Sequence, residues 1–95
     1  MTKIREADIE AYLVKRVAEA GGVAEKFTSP NRTAVPDRIV LWTNPSDTQF
    51  VECKAPGKKP TVAQARDHAR RSAMGFIVVV VDSFEAVDDF IRVYR

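Results

Sequence analysis

The chain has 95 residues, 45% hydrophobic and 29% charged, with a formal net charge of +2. That length allows one domain, residues 1–95, around one core, and the balanced composition excludes disorder. No apolar run is long enough to span a bilayer, and Met1 to Glu6 lack a leader's apolar stretch. The single cysteine cannot form an internal disulfide, so a reducing cytoplasm is the expected location.

Glu6 to Ala20 has helical periodicity, with Ile9, Leu13 and Val17 on one stripe and Val14 beside it. Gly21 and Gly22 stop that helix. Val23 to Phe27 is a short strand, followed by a loop of turn residues from Thr28 to Ala34. Arg38 to Trp42 and Thr48 to Lys54 are strands joined by the turn chemistry of Thr43 to Asp47. A hairpin centred between Asn44 and Pro45 sets Asp37 opposite Glu52, with Cβ atoms ~4.5–5.5 Å apart. After the basic loop Ala55 to Pro60 comes a helix over Thr61 to Met74, with small apolar residues at Val62, Ala65, Ala69 and Ala73. Gly75 ends it, Phe76 to Val81 is a buried-type strand, and a last helix runs from Phe84 to Val93. The order is αβββαβα, an α/β chain without repeats or linkers.

The hairpin carries the chemistry. Glu52 and Lys54 lie two apart on a strand and share a face, while Val51 and Cys53 take the other. Asp37 alongside makes an acidic pair with an amine next to it. Two such carboxylates repel unless a cation holds both ionised. Mg²⁺ suits them, because it takes one or two carboxylates and leaves room for water and phosphate oxygens. A cation there would activate a water for attack on phosphorus and neutralise charge on the phosphate. Lys54 would orient or deprotonate that water, or stabilise the transition state. The bland alternative is a solvated face with a weak ion pair, against which the hairpin geometry and Pro36 speak.

Glu10, at the edge of the first helix's apolar stripe, is either a metal or supporting ligand or a salt-bridged boundary residue. Glu6, one turn earlier, is the fallback. Gln64 completes a capping box with Thr61, and a role beside Lys54 is the alternative. His68 has no His or Cys partner to make a zinc site, so it is solvated or supports the site from behind. Cys53 is core filler rather than a nucleophile. Arg38, Lys58 and Lys59 are candidate phosphate contacts, as are Arg66 and Arg70 on the second helix, with Arg71 adjacent.

Pro36-Asp37 with Glu52-Cys53-Lys54 resembles the PD-(D/E)xK nuclease superfamily. Val35 to Arg38, Phe50 to Gly57, then Thr61 and Gln64, narrow the resemblance to its VRR-NUC (virus-type replication-repair nuclease) branch. Glu6, Ile9, Glu10 and Leu13, with Lys26 to Pro30, look like small stand-alone members from phages and bacteria. The similarity covers essentially the whole chain; the short motif is weakly specific, the ordered set strongly so. It implies a restriction-endonuclease-like core, αβββαβ with a mixed central sheet flanked by helices, plus a C-terminal helix. It implies Mg²⁺- or Mn²⁺-dependent DNA cleavage leaving a 5′-phosphate, with Asp37, Glu52 and Lys54 as the catalytic set. Glu10 would supply the first-helix acid, Gln64 would assist, and the Cys53 backbone carbonyl would join the metal ligands. Homodimers acting on branched DNA such as Holliday junctions are expected from the same resemblance. The sequence departs from the family pattern at Asn31 and Ala34, where glycines are expected. Flap or nicking activity, a non-catalytic nucleic-acid-binding module and a protein-interaction domain on the same fold remain as alternatives.

Overall fold

The computed structural model describes residues 3–95. Met1 and Thr2, at the head of the segment without a leader's apolar stretch, lie outside it. Seven elements follow in order: α1 (Glu6–Glu19), β1 (Val23–Lys26), β2 (Arg38–Leu41), β3 (Thr48–Cys53), α2 (Val62–Ala73), β4 (Ile77–Val81) and α3 (Phe84–Tyr94). Among the described residues, no helix is long and apolar enough to cross a membrane.

One four-stranded sheet, ordered β1-β2-β3-β4, organises the molecule. β1, β2 and β3 form an antiparallel meander, with a long loop from Phe27 to Asp37 between the first two, and α2 carries the chain across to β4, parallel to β3. The hairpin register expected from its turn holds: Arg38 pairs with Val51 and Leu41 with Thr48. One step further along that register stand Asp37 and Glu52.

Alternation along the strands splits the sheet into two faces. On one, Val40, Val51, Cys53 and Val81 meet Ile9, Leu13 and Val17 of α1 and Val87, Phe90 and Ile91 of α3, all buried. The other face carries Phe50 and Glu52 and lies under α2. Covered on both faces, β3 is buried from Gln49 to Cys53 and shows little polar alternation. Gln49 is tolerated inside because Trp42 Nε1 donates to it at 2.7 Å and it donates to Asp47 at 2.7 Å.

Two glycines are required where they stand. Gly75 closes α2 at φ +93°, a left-handed backbone that other residues adopt at a cost, and any Cβ at Gly22 would lie 2.6 Å from the Trp42 ring. Asn31 and Ala34 impose no such strain, since no non-glycine residue among those described has positive φ.

The orientation of α2 differs from what its apolar spacing suggests. Val62, Ala65, Ala69 and Ala73 face solvent, Val62 being 71% exposed. Turned toward the sheet instead are Gln64, Asp67, His68 and Arg71, with Asp67 and Arg71 buried. Arg71 Nε donates to Asp67 at 2.8 Å, and its guanidinium lies 4.9 Å from the Phe50 ring centre and 5.1 Å from that of Phe27. A charged pair on two aromatic faces therefore docks this helix where an apolar stripe would ordinarily do so.

Candidate active site

Asp37 is fixed from three sides. Pro36 is fully buried beneath it, the Asp37 carbonyl accepts from Phe27 N–H at 2.9 Å, and Asp37 Oδ2 accepts from Cys53 N–H at 2.7 Å. That last bond ties the start of β2 to the end of β3 and brings Asp37 beside Glu52. The register places both carboxylates on the α2 face, while Arg38 takes the α1 face with Val51.

Glu52 is the centre of the cluster and is only 1% exposed. Lys54 Nζ lies 3.6 Å from its Oε2, and Gln64 Nε2 donates to the same oxygen at 3.3 Å. Glu52 Oε1 has no hydrogen-bond partner; His68 Nε2, also without one, stands 3.5 Å away. Burial, then the charge of Asp37 and a hydrogen bond with it, push the Glu52 carboxyl up to about 7, against a smaller lowering by Lys54. Burial also lowers His68, and raises the Cys53 thiol well above its ordinary value, which leaves that sulfur as inert core.

Gln64 serves two partners at once. Its Oε1 accepts from Thr61 N–H at 2.9 Å to complete the capping box, while its Nε2 reaches Glu52. The expected capping box is present, and the other end of the side chain meets Glu52. His68, one turn later on the same helix face, joins the cluster, and its i, i+4 spacing from Gln64 was the available signal.

Other candidates lie elsewhere. Glu10 Oε2 accepts from Arg38 Nε at 2.8 Å and Lys26 Nζ at 3.1 Å. Burial alone would raise its pKa, but these bonds outweigh burial and hold it below the ordinary value. Arg38, which also donates to the Ala24 carbonyl at 3.1 Å, is thereby committed within the fold. Glu6 is exposed at the start of α1, and of the two first-helix acids it is the one whose charge adds to the raising of Glu52. Lys58 and Lys59 project from the exposed loop after β3. Arg66 and Arg70, with Arg32, line a cleft of about 420 Å³ between α2 and the loop before Asp37, where Arg70 also contacts Asp67 at 3.3 Å.

A divalent cation fits this donor set. Glu52 presents a buried oxygen without a partner, beside a second carboxylate held in place by backbone. Among the described residues no three acidic, His or Cys side chains converge on one point. A cation here would take two carboxylates and complete its shell with water and phosphate oxygens, which is the habit of Mg²⁺.

No family model matches the sequence. Over 83 residues the chain is 54% identical to "Putative nuclease p44" of Acyrthosiphon pisum secondary endosymbiont phage 1, which spans 87% of this chain and 88% of that protein. It also superposes on a solved structure described as a VRR_NUC domain, with a TM-score of 0.87 and 33% identity, covering 95% of this chain and 97% of the other.

Proposed function

The chain belongs to the VRR-NUC family of nuclease domains, and from that premise we propose that it is a metal-dependent DNA endonuclease whose site is built on Asp37, Glu52 and Lys54. One observation carries this reading. A buried carboxylate, raised to about 7 and lacking a partner on Oε1, is an energetic liability by itself and an asset beside a cation.

Asp37 and Glu52 would hold Mg²⁺ or Mn²⁺, with the Cys53 backbone carbonyl as a further ligand. Bound there, the cation supplies a Lewis acid to the phosphate and lowers the pKa of water. Lys54, 12% exposed on its side chain, sits where its ammonium can orient the attacking water or meet charge developing on the phosphate. Gln64 keeps Glu52 in place. Lys58, Lys59, Arg66 and Arg70 contact phosphates on either side without reading sequence. Arg38 and Glu10 brace one another on the α1 face, and Glu6 is the first-helix acid suited to supporting the site.

The substrate class we favour is branched DNA such as a Holliday junction, cut by a homodimer. Support for pairing comes from the sheet edges. The edge strand β1 carries Glu25 and Lys26, whereas β4 is Ile77-Val78-Val79-Val80-Val81, and its flank from Ser72 to Phe76 has no charge either. Monomeric proteins protect an edge with charges or proline. Exposed Met74, Phe76, Ile77 and Val80 beside the apolar stripe of α2 suit a second copy related by a two-fold axis. Labelled four-way junction, flap and linear duplex, each incubated with Mg²⁺, Mn²⁺ or EDTA, test the reading. Metal-dependent cutting fastest on the junction is expected; binding without cutting would replace the enzyme by a binding module.

A further inference from the structure

We propose that His68 is a positioning residue that holds Glu52 for the metal, an inference that rests on the reading of Asp37 and Glu52 as metal ligands. Glu52 has partners on one oxygen only. Gln64 and Lys54 both address Oε2, at 3.3 and 3.6 Å. Oε1 is buried and unpartnered, and the polar atom facing it, His68 Nε2, is buried and unpartnered as well, 3.5 Å away. Two buried orphans pointing at each other just beyond hydrogen-bond range are one small adjustment from a bond.

The element that brings them together is fixed. Gln64 and His68 stand four apart on α2 and so share its inner face. Thr61 and Gln64 lock the helix start through the capping box, and Asp67 with Arg71 anchors the next turn on Phe27 and Phe50. α2 therefore presents two donors to one carboxylate, one for each oxygen. Around the ring stand Asp67, Arg71, Lys54 and Asp37, so charges of both signs face it. An imidazole can donate from Nε2–H to Oε1 while its other nitrogen stays clear of the cation's place. With one oxygen tied by Gln64 and the other by His68, the plane of the carboxylate is set and its remaining lone pairs turn toward Asp37. Partners of this kind, which orient a ligand without touching the metal, typically change affinity about 10–100-fold when removed.

The test is direct titration of DNA-free protein with Mn²⁺, followed by electron paramagnetic resonance of the free ion, with circular dichroism to confirm the fold. His68→Ala should bind Mn²⁺ at least about tenfold more weakly than wild type. His68→Gln, whose amide nitrogen reaches the place of Nε2, should recover most of that loss. In cleavage assays His68→Ala should need more metal for half-maximal rate, yet approach the wild-type rate at saturating Mn²⁺. If His68→Ala does not fold, His68→Asn, too short to reach Oε1, takes its place. Wild-type affinity in His68→Ala, or a folded His68→Gln as weak as the alanine variant, would overturn the role of His68 alone. A wild-type protein that binds no Mn²⁺ would overturn the metal reading itself, and this inference with it.

Discussion

Glu52 is a carboxylate whose burial works against its own charge. Its carboxyl is ordinarily near 4.5 and here lies at about 7, so the fold prefers the protonated form. The contribution to stability is full below about pH 4.5 and is lost as pH rises through 7. Metal-free wild type should therefore lose stability across that window in urea titrations, while Glu52→Gln should stay flat. At about pH 8 without metal, Glu52→Gln should be the more stable protein by about 1–3 kcal/mol. Added Mg²⁺ should then stabilise wild type only. A less stable Glu52→Gln at that pH would show that burial of the charge costs the fold nothing. The juxtaposition of Asp37, Glu52 and Lys54 was legible because strand parity and the turn fix it. Glu10 was not: its place on the helical wheel gives the edge of the stripe, but not that Arg38 would share its side of the sheet. His68 was half legible, as a neighbour of Gln64 whose partner lay in a distant element.

At the scale of elements, the β2–β3 hairpin was readable and α2 was only half so. The hairpin register followed from Asn44 and Pro45 because a short turn leaves little freedom, and α1 from an apolar stripe that packs on the sheet. In α2 the apolar spacing of Val62, Ala65, Ala69 and Ala73 points outward, since the inner face must supply polar partners to Glu52. Sequence periodicity reports that an amphipathic face exists, not which surface covers it. α2 adds no residue to the hydrophobic core cluster, so the Asp67–Arg71 pair carries much of its docking. Asp67→Ala leaves a buried guanidinium without its carboxylate and should cost about 3 kcal/mol, measured by chemical denaturation. Replacing both residues by leucine should bring stability back to within about 1 kcal/mol of wild type, because the apolar pair needs no desolvation. A double variant as unstable as the single one would mean that the cation over Phe27 and Phe50 is itself the anchor.

The whole molecule presents two different sheet edges. The charged β1 edge closes one side; the uncharged β4 edge and the outer stripe of α2 leave an apolar surface on the other. If a second copy covers it, Ile77→Lys should convert a dimer into a monomer by light scattering, with the fold intact by circular dichroism and junction cutting reduced. A wild-type monomer at micromolar concentration would count against pairing. The central claim, that Asp37, Glu52 and Lys54 form a phosphodiesterase site, is tested most directly by comparing wild type with Lys54→Ala for Mg²⁺-dependent cleavage of labelled junction DNA, with binding measured in parallel. Cleavage that falls by at least about 100-fold while binding persists is the expected result. Equal cleavage by both proteins, or none by wild type in any metal, would contradict it.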